Sequence, residues 1–529
     1  MIKSVQCTWS KCSHLRFERS ATIGIFILLA AASITPVLLT PIPAMVDYVN
    51  HLARMYVVSQ NGMEDANHYY VVAWALYPNL AMDLVVPWVG RLIGVENAAR
   101  LFLLSSQLLI VGGALAIEIV VKGRFQFAGF AALLFLYSLP FSWGFLNFEF
   151  GLGVALWAIA SYLLAQDAKW PLRFAVNSIF VALLFIAHLF ALGIYGATLG
   201  FYELGRAYER RSPIPETAMR LAVLAVPALV LFSIMRSTGG SVGSEGTDWF
   251  FAFKPLWILR IMNGYSLWAS AASSLAIITL IYVAARRRLL RFQPSGLWIA
   301  SGFAGLYLAI PSKLLGTAFV DLRLIPAAAV ILPAFCLLSL PTRRSRFVAL
   351  ATVSGIILVN LSVVLAVWLS YRTEYAAIVR SFGLLAPKSL VLSSSTEDQG
   401  DPPFKDLTAY PMYYAPTLAV HYAGAFVPNL FTEIGKQPVQ PAPAVRRLAI
   451  PYGGPTPLSV LRAVTENRTT GVYVPRFVEN WQRDYDYLYL LGPRVANPFP
   501  DFLTELAASK RFTLYKVVHS VSREPSNQD

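Results

Sequence analysis

Eleven long apolar runs constrain the fold of this chain more than any other feature. A helix that crosses the hydrocarbon core of a bilayer needs about 20 apolar residues, with about 17 to 25 as the usual range. The chain is 56% hydrophobic and only 14% charged, whereas soluble proteins carry roughly 25% charged residues. The sequence therefore predicts a polytopic α-helical membrane protein with about 11 transmembrane helices. The runs lie at 21–40, 101–121, 125–141, 151–166, 174–187, 189–204, 221–235, 265–285, 296–310, 324–340 and 347–369.

The distribution of basic residues predicts the orientation. Segments that alternate crossings would place inside hold nineteen Lys and Arg residues, and the outer loops between spans hold eight. This bias puts the N-terminal segment 1–20 in the cytoplasm and, after eleven crossings, the C-terminus outside. It also explains the net charge of +14 without a nucleic-acid partner. A cleaved signal peptide is the alternative for the first run, but 20 residues exceed the 7 to 15 of a signal h-region.

The stretch 174–204 can be read as one long tilted helix or as two helices that meet at His188. Arg173 precedes it, and Arg206, Arg210 and Arg211 follow it. A single crossing would put one of these basic clusters outside, whereas two crossings keep both inside. The sequence therefore predicts two helices with His188 at their outer turn.

Three parts are predicted to lie outside the membrane. The first outer loop, 41–100, has helical spacing at 46–60 and 80–95. The second, 236–264, begins with a Gly/Ser-rich run at 237–246, which predicts a mobile segment, and continues into an aromatic interfacial helix. The transmembrane part is thus 21–370, and the tail 371–529 is predicted to be a small α+β domain. Its strand-like runs are 389–392, 471–474, 487–491 and 512–518.

The first outer loop places several polar side chains soon after the first span. In a helix, Asp47, Asn50, His51 and Arg54 follow at spacings of three and four and share one face. Polar groups at the membrane boundary are expensive and are functional candidates by default. The alternative is a solvated helix with an Asp–His pair.

Further polar candidates lie at other outer turns. Lys313 and Arg323 flank the ninth and tenth spans and are able to hold a phosphate, Arg323 by a bidentate fork and Lys313 as a point charge. For Arg323 the alternative is an interfacial side chain that snorkels from its helix end. His188 is either functional or a packed histidine, and Glu149 lies at a turn where a carboxylate must face water or a partner.

This layout resembles the C-type (GT-C) integral membrane glycosyltransferases. The resemblance rests on Asp47 in a long first outer loop with two amphipathic helices, on about eleven spans, on His188 and Arg323, and on the outer C-terminal domain. It implies a transferase that moves a sugar from a polyprenyl-phosphate carrier in the bilayer to an envelope glycan, lipid or protein. It also implies a bacterial inner membrane location, with the N-terminus cytoplasmic and the C-terminal domain periplasmic.

The resemblance also implies roles for the candidate residues. Asp47 is expected to act as general base, and Asn50, His51, Arg54, His188, Lys313 and Arg323 are expected to bind substrate. Many members of the class carry a second acidic residue beside the first, but here Tyr48 follows Asp47, so a divalent metal stays possible and unassigned. A transporter or flippase, and a non-catalytic envelope assembly protein, are the alternative functions.

Overall fold

The architecture is a bundle of apolar helices with a sheet-containing C-terminal part. The structure, a computed structural model, describes residues 9–237, 246–314, 317–396, 410–450, 453–468, 470–471 and 473–518, with only the backbone of 9–19. The helices of the first half are α1 (Trp9–Ser33), α2 (Thr35–Leu39), α3 (Tyr48–Ser59), α4 (Ala81–Ile93), α5 (Val95–Lys122), α6 (Ala128–Phe135), α7 (Leu139–Trp143), α8 (Leu146–Leu164), α9 (Trp170–Ala187), α10 (Leu189–Arg210) and α11 (Ile214–Ser237). Those of the second half are α12 (Lys254–Arg260), α13 (Leu267–Arg286), α14 (Pro294–Ala309), α15 (Val320–Ile331), α16 (Arg343–Ser381), α17 (Ala419–Tyr422), α18 (Leu458–Thr465) and α19 (Trp481–Asp484).

Within the described residues, seven helical segments are long and apolar enough to cross a membrane. They are Ser20–Leu39, Val95–Lys122, Leu146–Leu164, Trp170–Ala187, Ile214–Ser237, Leu267–Arg286 and Arg343–Leu384. These helices indicate a multi-pass membrane protein, and the predicted number of eleven spans is not confirmed.

The four other apolar runs form helices that are short, interrupted or charged. Run 125–141 is divided between α6 and α7, with Pro140 at the start of α7. Run 324–340 is helical only as far as Ile331, the end of the 12-residue α15, and a 3-10 turn that contains Pro333 follows. Proline interrupts helices because it has no N–H to donate. α14 has 16 residues, and α10 is 22 residues long but ends in charged side chains.

The chain divides into two helices at His188, as the charge argument predicts. His188 is extended, with φ −169° and ψ 125°, and lies between the end of α9 and the start of α10. Its imidazole Nδ1 accepts a hydrogen bond from the Phe190 N–H at 3.1 Å. His188 therefore caps α10 as Ser, Asp or Asn commonly do.

The two predicted helices of the first outer loop are confirmed as α3 and α4. In the second outer loop, the aromatic part forms a 3-10 turn (Phe251–Phe253) and α12. Residues 238–245 of the predicted mobile run, and the first eight residues of the predicted cytoplasmic segment, lie outside the described residues.

The strands are short, and most of them belong to the tail. They are β1 (Tyr70–Val72), β2 (Leu290–Phe292), β3 (Lys313–Leu314), β4 (Thr317–Ala318), β5 (Cys336–Leu338), β6 (Val391–Ser395), β7 (Val439–Pro441), β8 (Thr456–Pro457), β9 (Tyr487–Leu491), β10 (Leu503–Ala508) and β11 (Phe512–Val517). Five of them form one mixed sheet in the order β10-β11-β9-β6-β8. Run 487–491 is β9, run 512–518 contains β11, and run 389–392 overlaps β6 in its last two residues. Gly471, Tyr473 and Val474 of the fourth run are not in a strand.

The tail is joined to the rest of the molecule more closely than a separate domain would be. α16 continues without interruption through the predicted boundary at 370, and Tyr371, Glu374 and Tyr375 are buried beyond it. In addition, β7 of the tail pairs in antiparallel register with β1 of the first outer loop. The tail and this loop therefore lie on the same side of the membrane.

Candidate active site

Asp47 is held in place by the turn that follows α7. Its backbone N–H donates to the Trp143 carbonyl at 2.9 Å, and the Val46 N–H donates to the Ser142 carbonyl at 3.1 Å. Gly144 makes this approach possible. It adopts a φ of +88°, and a Cβ atom at this position would lie 3.1 Å from both the backbone N and the Cβ of Asp47. A larger residue would be strained there and would displace Asp47.

The carboxylate of Asp47 is not used to cap α3. Asp47 occupies the N-cap position, but its side chain accepts no hydrogen bond from the first turn. It keeps partial exposure while its neighbours Val46 and Tyr48 are fully buried. Burial raises the pKa of Asp47 to about 7, and the positive charges of Arg323 and Arg54 oppose this shift. Such a carboxyl can accept a proton near neutral pH.

Arg323, in the first turn of α15, supplies the positive charge that faces Asp47. Its guanidinium carbon lies 4.1 Å from the ring centroid of Phe145, and its Nη2 donates to the Ala318 carbonyl at 3.3 Å. It interacts electrostatically with Asp47 and Glu149, but neither lies within ion-pair distance among the described residues, where its Nε is buried without a hydrogen bond. The guanidinium is therefore positioned without a carboxylate in direct contact.

His188 brings a second donor to the same place. Its Nε2 lies 3.4 Å from Nη1 of Arg323. Because Nδ1 accepts from the Phe190 N–H, the neutral imidazole carries its proton on Nε2. His188 Nε2 and Arg323 Nη1 are thus both hydrogen-bond donors, and neither can accept a hydrogen bond from the other. Two adjacent donors of this kind suit one shared anionic acceptor, such as a phosphate oxygen.

Glu149, for which the sequence predicts contact with water or a partner, lies near Arg323. It is 4% exposed in the first turn of α8 and interacts electrostatically with that arginine. Its Oε1 accepts no hydrogen bond from any residue that the structure describes. Two carboxylates therefore share one arginine. Gly151 lets α8 pack closely against His188, since a Cβ atom at position 151 would lie 3.3 Å from the His188 Cβ.

The other residues predicted on the Asp47 helix have separate surroundings. Arg54 forms a fully buried ion pair with Asp83 of α4 at 2.9 Å. Asn50 bonds the backbone of the tail: its Nδ2 donates to the Asn429 carbonyl at 2.7 Å, and its Oδ1 accepts from the Phe431 N–H at 2.8 Å. Arg54 still acts on Asp47 by its charge. His51 donates its backbone N–H to the Asp47 carbonyl at 3.0 Å, its ring contacts Phe431, and its buried Nδ1 has no partner among the described residues.

Lys313 lies on the hairpin that precedes Arg323. Its strand β3 pairs with β4, where Lys313 is opposite Ala318, the residue whose carbonyl accepts from Arg323. A buried cluster fixes the start of α15 beside it. Asp321 accepts from the Ser312 hydroxyl at 2.7 Å and pairs with Lys254 Nζ at 3.3 Å. The hairpin and this cluster thereby position Arg323.

The described side chains around Asp47 do not provide a set of metal ligands. In the part of the chain that the structure describes, no three His, Cys, Asp or Glu side chains form a group able to hold one. The carboxylates of Asp47 and Glu149 face the guanidinium of Arg323, which already supplies a positive charge.

No model of a protein family matches this chain, and no curated protein matches it either.

Proposed function

We propose that this protein is a membrane glycosyltransferase that moves a sugar from a polyprenyl-phosphate carrier to an envelope acceptor on the outer face of a bacterial inner membrane. The observation that carries this proposal is the pair of donors at Arg323 and His188, opposite the carboxylate of Asp47. The donors suit a phosphate, and the carboxylate suits a hydroxyl that must lose a proton.

The proposed reaction follows from these roles. The acceptor hydroxyl gives its proton to Asp47 while its oxygen forms a bond to the anomeric carbon. The bond between that carbon and the carrier phosphate breaks, and the phosphate takes the electron pair. Arg323 and the Nε2–H of His188 stabilise the charge that develops on this leaving group. Glu149 helps to orient Arg323 by its charge.

A series of aromatic rings supports a lipid-linked donor. Phe253, 46% exposed, stacks on Trp257 at 6.0 Å, and Trp257 contacts Phe319 at 6.0 Å. Phe319 in turn lies 6.4 Å from Phe145, the ring that holds Arg323. Phe319 has a φ of +58°, and such strain in a non-glycine residue clusters at functional sites. An isoprenoid chain that lies along these rings would bring its phosphate to Arg323.

The direct test is turnover by the purified protein. A polyprenyl-phosphate-linked sugar is supplied in detergent or liposomes with envelope acceptors, and release of the free polyprenyl phosphate is measured. We expect release that depends on the acceptor. Movement of the intact donor between leaflets without cleavage of the sugar–phosphate bond would instead indicate a flippase.

We also propose the eleven-crossing topology, in which the tail lies outside and the turn after α13 inside. It predicts that Lys510→Cys, on an exposed turn of the tail, reacts with an impermeant thiol reagent in intact cells, whereas Arg287→Cys does not. Both variants also carry Cys7→Ser and Cys12→Ser, so that these native thiols do not react. The remaining native cysteine, Cys336, is buried. Reversed labelling would exclude this orientation.

A further inference from the structure

We infer that the tail segment around Tyr414 and Phe431 forms one wall of the reaction chamber and closes it against bulk water. This inference rests on the proposed function, because it assigns the tail a role at the same site. Tyr414 interacts electrostatically with the proposed general base, and Phe431 contacts His51 one helical turn after it.

The wall is fixed to α3 one turn after Asp47. Both polar atoms of the Asn50 amide bond the tail backbone, at 2.7 Å to the Asn429 carbonyl and 2.8 Å from the Phe431 N–H. Asn50 is fully buried. A buried amide that lost these partners would leave polar groups unpaired, which is unfavourable. The position of Phe431 is therefore tied directly to the helix that Asp47 begins.

A second attachment holds the same tail segment on its other side. The Tyr70 hydroxyl donates to the Val427 carbonyl at 3.0 Å and accepts from the Val427 N–H at 3.1 Å. Asn67 Nδ2 donates to the Ala425 carbonyl at 3.0 Å. The β1–β7 pairing follows in the next residues of the tail. The segment 425–441 is thus held along its length by the first outer loop.

The side chains that this attachment positions are aromatic and face the site. Phe431 meets the His51 ring at 5.4 Å between centroids, and Tyr414 meets Phe431 at 5.1 Å, both edge-on. Tyr414 is 8% exposed and interacts electrostatically with Asp47. Aromatic rings at this position cover the side of Asp47 that faces the tail and form no ion pair with it.

Exclusion of water has a chemical purpose in this reaction. Water is itself an acceptor hydroxyl, and Asp47 would accept its proton as readily as that of a sugar. An open chamber would therefore hydrolyse the donor to free sugar and polyprenyl phosphate. The aromatic wall favours transfer over hydrolysis, which makes Tyr414 and Phe431 specificity-determining residues.

The test measures access to the site independently of activity. In the full-length protein, Asp47→Cys is combined with Phe431→Ala, and the rate of thiol modification by a small charged reagent is compared with that of Asp47→Cys alone. We expect an increase of at least about fivefold, because thiol reactivity follows access. Tyr473→Ala, a change at an 84% exposed tail residue, is the matched control and should leave the rate unchanged. An unchanged rate with Phe431→Ala would overturn the inference.

Two further measurements keep the test decisive. If Phe431→Ala does not fold, Phe431→Leu and Tyr414→Leu retain apolar packing and should still raise the labelling rate. With Asp47 present, the same variants should increase the share of donor hydrolysed relative to the share transferred, while Tyr473→Ala should not. If the native protein cleaves no donor, the proposed function fails, but the labelling rates still decide whether the tail closes the chamber.

Discussion

Replacing Asp47 by Asn is expected to reduce turnover by roughly 10²- to 10⁴-fold, the usual contribution of a positioned acid or base. Asn has nearly the same size and keeps a hydrogen-bonding oxygen, but it cannot accept the acceptor proton. In the proposed complex the carrier phosphate contacts Arg323 and His188 and not Asp47. The Kd for the donor should therefore change little in this variant. Single-turnover rates and donor binding measured on the same preparation separate these two effects.

The raised pKa of Asp47 gives the native protein a defined pH dependence. Its pKa is about 7 instead of the ordinary 3.8, so the proton-accepting form is lost below about pH 7. We expect kcat/KM to fall about tenfold for each pH unit below this value. Asp47→Asn should remove this acid limb from its residual activity.

The same shift predicts an unusual effect on stability. A carboxyl whose pKa is higher in the folded than in the unfolded protein contributes stability that is complete below about pH 4 and is lost as the pH rises towards 7. At pH 8 the ionised Asp47 should cost on the order of a few kcal/mol of unfolding free energy. Asp47→Asn removes this cost, so its thermal unfolding temperature relative to the native protein should be higher at pH 8 than at pH 5.

Asp65→Asn is the matched control, because it makes the same change at an exposed position of the same outer loop. It should keep native turnover and show no such dependence of stability on pH. Near-native turnover in Asp47→Asn would contradict the assignment of the base. A loss of both turnover and stability would indicate instead that the carboxylate has a structural role.

Helical periodicity predicted α3 correctly but could not assign its polar residues. Asp47, Asn50, His51 and Arg54 recur at helical spacing, which shows that they lie near one another on the helix. It does not show what packs against each of them. Asn50 bonds the backbone of Asn429 and Phe431, and Arg54 pairs with Asp83. These partners lie in distant parts of the sequence, so the spacing of residues within α3 cannot predict them.

Hydropathy located the apolar segments, and the flanking basic residues located the turn at His188, but neither gave the length of every helix. Proline ends α15 and divides the run at 125–141, and an average over an apolar window does not register a missing N–H. The boundary predicted at 370 lies inside α16. α16 remains helical for eleven residues beyond it, because amphipathic residues there pack against the tail while hydropathy falls.

The sequence places Arg323, Asp47 and His188 on the same side of the membrane but does not predict that they lie close together. In the structure the charge of Arg323 acts on Asp47. Arg323→Ala should weaken donor binding first, by roughly 1.5 to 3 kcal/mol for a charged hydrogen bond, or about tenfold to 150-fold in Kd. Arg323→Lys should recover only part of this, because a point charge does not replace a planar fork. Donor titration of the three proteins, with Arg291→Ala as an exposed control, measures the differences.

Loss of Arg323 should also shift the pH dependence of kcat/KM. The direction of this shift shows whether Arg323 acts on Asp47 as well as binding the phosphate. The positive charge of Arg323 lowers the pKa of Asp47 against the effect of burial. Without it, the pKa of Asp47 should rise further, and the acid limb of kcat/KM should move to higher pH. Arg323→Lys, which retains the charge, should leave the limb near its native position even though its donor affinity is reduced. If Arg323→Ala weakened binding but left the limb unmoved, Arg323 would bind phosphate without acting on the proposed base.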